Sequence, residues 1–350
     1  MRRLISLEGR IAVVTAALVV ALSQLGRLPA LEPYYPVHAR PYLAVDRTCS
    51  AAAAADVVLL GDSRVMSGVL PWVLSRELKL AGLRGEAPRV VSLALPGATP
   101  DVELWLWRRL VRSGARAKVV IAGITETSLK EGGPTRDYAL RYLFRSRDAL
   151  WLLSRGHITD AATLLTYRVF PLYARQTAVR NVLWNRRPAI PGAAQWRALR
   201  GPVLVLRKQD YLGYRVDRFA AESVEQLVRE THRRGAAIFL VAPPVERVLL
   251  VEAAQASPAR AAPRWRILPR SNPGAGGSAF DLVARIAANC ARRRGAVFLN
   301  YATLQQSARF HYRDPAHLSD RGARVFSHLI AGRINSELAR HTREKATSRR

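Results

Sequence analysis

Five short apolar runs, each followed by a helical stretch, constrain the fold of this chain more than any other feature. They are Asp56–Leu60 (DVVLL), Arg89–Leu95 (RVVSLAL), Lys118–Ala122 (KVVIA), Ala237–Val241 (AIFLV) and Ala296–Leu299. Apolar runs this short, bounded by Gly and Pro, read as strands buried on both faces. Helices are expected over about 70–83, opened by Pro71, and over 99–112, with Thr99 as cap, Pro100 in the first turn and Asp101 and Glu103 near the positive end. Further helices are expected over 220–234, 280–293 and 319–338. Strands alternating with helices build a mainly parallel five-stranded sheet covered on both faces, an α/β/α sandwich in three layers. Sites in such a sheet form beyond the carboxyl ends of the strands.

The alternation lapses between 126 and 215. That stretch is rich in Leu, Arg, Tyr and Trp at helical spacing (ALRYLFRSRDALWLL) and reads as a helical insertion. Its aromatics are most simply core; a lid, or a surface that docks a membrane partner, is the sharper reading. Residues 28–55 hold Pro29, Pro33, Pro36 and Pro41 and an Ala run, and read as a stalk with little regular structure. A Pro/Ala/Gly-rich stretch over 255–277 reads as a surface loop. The basic tail, 341–350, is expected to fray. The resulting organisation is a membrane segment over 1–27, the stalk, a main domain over 56–340 carrying the insertion, and the tail.

Arg2, Arg3 and Arg10 precede the apolar run Ile11–Leu22, with Arg27 beyond it. A run of about 16 residues rises roughly 24 Å as a helix, short of a hydrocarbon core of about 30 Å. An uncleaved signal anchor with snorkelling arginines is one reading, and a cleaved signal peptide is the other. Both put the main domain outside the cytoplasm. Lys and Arg number 55 against 26 Asp and Glu, a net charge of +29. Such a balance suits an anionic partner, yet nearly all of it is Arg in an Ala-rich chain, which is equally the mark of compositional bias. No zinc-finger spacing or RNA-binding aromatic signature accompanies the charge, so nucleic acid is not an expected partner. Cys49 and Cys290 show no metal-ligand spacing. They are either two unrelated core residues or, in an exported chain, a disulfide closing a long loop. No metal or cofactor is expected.

At the strand ends stand Gly61-Asp62-Ser63, Pro96-Gly97, Gly123-Ile124-Thr125-Glu126 and, late in the chain, Asp314-Pro315-Ala316-His317. A serine hydroxyl needs a base to take its proton, and His317 can do so near neutral pH. Asp314, three residues earlier, can hold the other ring nitrogen. Pro315 restrains that loop, and Ser319 can cap the last helix. A tight turn at Gly61 exposes Ser63 with its own N–H, and Gly97 lets a second N–H approach the same oxyanion. Asp62, Arg64 and His311 are candidate substrate contacts; Arg64 suits an anionic group, or else a solvated surface position.

GDS after the first strand, Gly after the second and a late Asp-x-x-His resemble the SGNH/GDSL hydrolase superfamily, over roughly 56–126 and 236–335. The N-terminal segment, GDSR, the insertion and DPAHLSDRGARVFSHLIAGRI resemble its membrane-anchored cell-envelope members. Those include the D-alanyl transfer protein of teichoic acid modification and the SGNH proteins of polysaccharide O-acetylation. The resemblance implies an SGNH/flavodoxin-like sheet and a triad of Ser63, His317 and Asp314, with Ser63 and Gly97 as oxyanion donors. It implies an esterase or acyltransferase at the cytoplasmic membrane, facing the periplasm or exterior, acting on ester-linked acyl groups of an envelope glycan. The alternative is a catalytically weak accessory module that binds an anionic polymer or a membrane-bound O-acyltransferase. One departure stands out: the family's Gly-x-Asn-Asp is here Gly123-Ile124-Thr125-Glu126, so Thr125 takes the third-donor position through its hydroxyl. Losing one such donor costs roughly 10²–10³ in rate.

Overall fold

The computed structural model describes residues 7–27, 31, 35, 39–80, 86–131, 136–183, 211, 214–255 and 278–347. In chain order its main elements are α1 (Leu7–Ser23), α2 (Arg40–Ala52), β1 (Val57–Leu60), α3 (Ser63–Gly68), α4 (Pro71–Glu77), β2 (Val90–Ser92) and α5 (Pro100–Arg112). Then come β3 (Val119–Gly123), α6 (Asp148–Ser154), α7 (Ile158–Val169), α8 (Pro171–Ala174), α9 (Gln176–Leu183), α10 (Arg218–Arg233) and β4 (Ala237–Ala242). The last are α11 (Arg247–Gln255), α12 (Ala279–Arg294), β5 (Val297–Asn300), β6 (Tyr312–Asp314), β7 (His317–Leu318) and α13 (Asp320–Thr347). The chain divides into two compact units, Met1–Ala44 with Asp137–Gly201 and Val45–Arg136 with Pro202–Arg350.

The larger unit is built on a parallel sheet in the order β2-β1-β3-β4-β5. Side chains alternate across it with the period of two that strands impose. Val57, Leu59, Val119, Ile121, Phe239 and Val241 enter one buried cluster with Leu74 of α4 and Phe326 and Ile330 of α13. Their neighbours Val58, Leu60, Val120, Ala122, Ile238 and Leu240 are also buried and point to the opposite face, where α10 and α12 pack on β4 and β5. Both faces are therefore covered, which is why these strands are apolar at every position. Local signals fix the helix ends. Asp217 caps α10 through the Phe219 and Ala220 N–H groups. Ser278 and Asp281 form a capping box on α12, which stops at Gly295 with φ +70°. The strand order reverses between β1 and β3, so a crevice opens at their carboxyl ends.

Several expectations are corrected. Residues 40–52 of the supposed stalk are helical, because Tyr42, Val45, Cys49 and Ala52 recur at helical spacing and are buried. α4 stops at Glu77, where Asn335 of α13 takes the Lys79 N–H and donates to the Glu77 carbonyl. Thr99 precedes α5 without a side-chain cap bond. α13 continues through most of the supposed tail, to Thr347. The apolar N-terminal run is a helix of 17 residues, and no helix among the described residues is long and apolar enough to cross a membrane. Most of the expected loop at 255–277 lies outside the described residues, as does the insertion from 184 to 210. Cys49 and Cys290 are free and buried, and burial pushes their thiols up to about 11 and about 12.

Candidate active site

After β1 the chain turns at Gly61, whose φ of +146° is a conformation side chains rarely adopt. A Cβ there would lie 2.8 Å from Val65 Cβ, and one at Gly123, the last residue of β3, would overlap Val65 Cγ2. Val65 is thus wedged against two bare backbones, which seats α3 directly on the ends of β1 and β3. Asp62 caps that helix, its Oδ1 accepting the Arg64 N–H at 2.9 Å. Ser63 becomes the first helical residue, where a backbone N–H has no partner within its own helix.

The opposite wall is the β6–β7 hairpin. Asp314 and His317 pair across it, joined by Pro315 and Ala316. The Pro315 carbonyl accepts the Glu246 N–H at 2.9 Å, and the Ser319 N–H closes on the His311 carbonyl at 2.9 Å. Leu318 is buried between α3 and α13. Ser319 Oγ takes the Gly322 N–H at 3.2 Å and so caps α13. A Cβ on Gly322 would overlap the His311 carbonyl, so only glycine lets the helix meet the hairpin this closely.

This scaffold brings together three side chains 254 residues apart at the extremes. Ser63 Oγ lies 2.9 Å from His317 Nε2. His317 Nδ1 lies 2.8 and 3.0 Å from the two Asp314 oxygens. Asp314 Oδ1 also accepts the Ala316 and His317 N–H groups at 3.0 Å each. Burial pushes the Asp314 carboxyl up, but the His317 contact, the Ala316 N–H and Arg313 outweigh it, so its pKa falls below the ordinary carboxylate value. A carboxylate on Nδ1 fixes the tautomer that leaves Nε2 free to accept the serine proton.

Gly97 occupies the turn after β2 with φ +68°. The turn is tied to the nucleophile loop, because the Leu95 N–H donates to the Gly61 carbonyl at 2.9 Å. Thr125 does not take the role expected of it. Its hydroxyl has one proton, which goes to Asp62 Oδ2 at 2.7 Å, while its oxygen accepts the Ser128 N–H at 3.1 Å. Asp62 is 2% exposed and fully engaged as cap and acceptor, so it is not placed to touch substrate. Arg64 is 4% exposed and forms a two-pronged ion pair with Glu126, itself 1% exposed. It is neither solvated nor open to an anionic ligand. Tyr214 Oη donates to the Glu126 carbonyl at 2.6 Å, and Tyr211 Oη approaches its carboxylate at 3.4 Å. The His311 ring is exposed and makes no bond to the triad.

Glu126 as partner of Arg64 was not read from the sequence, though a signal existed. β1 and β3 pair at a constant offset of 62, from Val57↔Val119 to Leu60↔Ala122. Carried four residues further, the same offset sets Arg64 opposite Glu126. Glu103 on α5 is fully buried, and neither carboxyl oxygen has a hydrogen-bond partner. Burial, then Asp62 and Asp101, push its carboxyl well above the ordinary carboxylate range.

No protein-family model matches the chain, and no curated protein matches it in sequence. Solved structures resemble it at low similarity. One is a provisionally assigned acylhydrolase from Bacteroides fragilis, 12% identical with a TM-score of 0.36, covering 84% of this chain and 95% of its own. Another is a point variant of an acetyl-xylooligosaccharide esterase from a Geobacillus species, 10% identical with a TM-score of 0.35, covering 79% of this chain and 92% of its own. Neither likeness is close enough to argue from, so fold and site stand on their own geometry.

Proposed function

We propose that the chain is a serine-dependent ester hydrolase or acyltransferase that works through an acyl-enzyme on Ser63. The observation that carries this is the unbroken relay from Ser63 Oγ to His317 at 2.9 Å and on to Asp314 at 2.8 Å. His317 Nε2 takes the serine proton as Oγ attacks the ester carbonyl carbon. The carbonyl oxygen becomes an oxyanion that the Ser63 and Gly97 N–H groups are offered to hold. His317 returns the proton to the leaving alcohol oxygen as the C–O bond breaks. A water or a glycan hydroxyl then attacks the acyl carbon, its proton going to His317, and His317 returns that proton to Ser63 Oγ as the acyl–Oγ bond breaks. Asp314 stabilises the imidazolium at each crossing.

The substrate class in this reading is an acyl ester, acetyl above all, on a cell-envelope glycan, with α1 as the tether to the cytoplasmic membrane and the catalytic unit outside. A second reading, an accessory module with weak turnover, draws support from one observation. The Thr125 hydroxyl is committed to Asp62, so it is not available as a third oxyanion donor. Trapping the intermediate separates the two. Incubation with acetyl esters and acid quenching should add an acetyl mass to the peptide holding Ser63. No adduct, with turnover unchanged in Ser63→Ala, would end the enzyme reading.

A further inference from the structure

Large apolar side chains left exposed are not spread evenly over the described residues. Thirteen of the seventeen belong to the smaller unit. Seven of these lie between Val13 and Leu25, on α1 and the turn after it, and the side chains from 13 to 22 are exposed in turn around the whole helix. The other six are Leu150, Leu153, Ile158, Leu165, Val169 and Tyr173.

α7 shows that this is a built face. Ala161, Leu164 and Tyr167 turn inward and are buried. Ile158, Leu165 and Val169, at positions i, i+7 and i+11, form an outward stripe with Ala162 between them. A helix facing water carries polar residues on that side. α6, packed against α7, repeats the pattern: Ala149 and Leu152 are buried, Leu150 and Leu153 exposed. The carboxyl end of α1 meets this region directly, Gln24 Nε2 donating to the Val169 carbonyl at 3.2 Å and Ser23 Oγ, whose proton goes first to the Val20 carbonyl at 2.6 Å, lying 3.1 Å from it. An open apolar groove of about 580 Å³ runs between them, walled by Val19, Leu22, Phe170, Leu172 and Tyr173. Residues 137–183 carry seven Arg against three Asp, with no Lys or Glu.

We propose that the outer faces of α6 and α7 lie in the same lipid leaflet that receives the end of α1. The smaller unit is then a lipid-seated platform rather than a tether alone. The occupant is an anionic phospholipid bilayer. Its acyl chains cover the apolar stripes and fill the groove, and its headgroups meet exposed arginines such as Arg147 and Arg180, the charge pattern of interfacial helices. The proposal rests on the reading of α1 as a membrane tether and not on the chemistry at Ser63. It also answers the shortness of the N-terminal apolar run, which as a helix of about 16 residues rises only roughly 24 Å: apolar area beside its end adds to what a marginal span supplies.

The test uses the full chain in vesicles of phosphatidylethanolamine and phosphatidylglycerol. An environment-sensitive fluorophore is placed in turn at Ile158→Cys, Leu165→Cys, Val14→Cys on α1 and Arg321→Cys on α13. Cys49 and Cys290 are buried, and circular dichroism checks each variant for folding. The expected result is blue-shifted emission, quenched by lipids bearing spin labels on their acyl chains, at 158, 165 and 14 but not at 321. Emission typical of water at 158 and 165, with 14 quenched, overturns the platform and leaves the tether standing. Water-like emission at 14 as well overturns the tether reading and the platform with it. A blue shift at 158 that appears only in native membranes, and not in pure lipid, assigns the face to a protein and equally overturns the proposal.

Discussion

The buried pair Arg64–Glu126 joins the residue after the proposed nucleophile to the loop after β3, and its removal can be worked through in numbers. Arg64 is 4% and Glu126 1% exposed, and two nitrogens of the guanidinium meet both carboxylate oxygens. Glu126→Gln keeps the shape and deletes the charge, stranding a guanidinium that cannot lose its proton, at a cost of about 3–5 kcal/mol. Arg64→Met strands a carboxylate, which can take up a proton, so that variant should lose less, about 2–3 kcal/mol. The double variant Arg64→Met/Glu126→Gln buries no charge and should fall within about 2 kcal/mol of the parent. The coupling between the two sites is then at least about 3 kcal/mol, far above what independent sites show. Urea unfolding of the four proteins, read as midpoint and slope, measures it. Additive losses, or single variants each within about 0.5 kcal/mol of the parent, would refute the picture of a dry, mutually dependent pair.

Asp314→Asn should leave the fold in place and lower kcat on an acetyl ester by about 10³–10⁴, because the amide favours the wrong imidazole tautomer; steady-state kinetics at a temperature where circular dichroism shows the variant fully folded checks this. The same substitution reads a pH dependence. The folded Asp314 pKa lies below its unfolded value, so the carboxylate contributes stability that is fully present above the ordinary carboxylate pKa of about 3.9 and lost as pH falls through the lower folded value. The stability gap between parent and variant should therefore hold from neutral pH down to that range and close only below it; a gap that widens on acidification contradicts the assignment. Thr125→Val removes a donor from buried Asp62 and should cost about 1–3 kcal/mol of stability, with turnover of the folded protein down less than about tenfold. A loss of about 10² or more in kcat without a stability change would restore Thr125 as an oxyanion donor.

The sheet was legible because its strands are buried on both faces. Val57–Leu60, Val119–Gly123 and Ala237–Ala242 have no polar position to blur them, and a Gly or Pro ends or directly follows each. The residues at the strand ends were legible for the same reason, since a parallel sheet with known strand ends already names the edge where they meet. What failed was local chemistry with a distant cause. Arg64 looked solvated because nothing adjacent balances its charge; the partner sits 62 residues on. Thr125 looked free because Asp62, which holds its proton, is also remote in the chain. The hairpin at 312–318 escaped because strands of three and two residues carry no measurable period. α2 was hidden by Pro41 at its second position, which read as stalk although a proline is well tolerated there. The pairing of Met1–Ala44 with Asp137–Gly201 depends on long-range contacts that composition does not encode.

Reaction of the intact protein with a fluorophosphonate, followed by peptide mass analysis and repeated on Ser63→Ala and His317→Gln, reads whether Ser63 is an activated nucleophile. A Ser63 activated by His317 predicts one adduct, on Ser63, absent from the first variant and formed about 10³-fold more slowly or worse in the second. Adduct on a different residue, or labelling of a folded His317→Gln protein at the parent's rate, would contradict it.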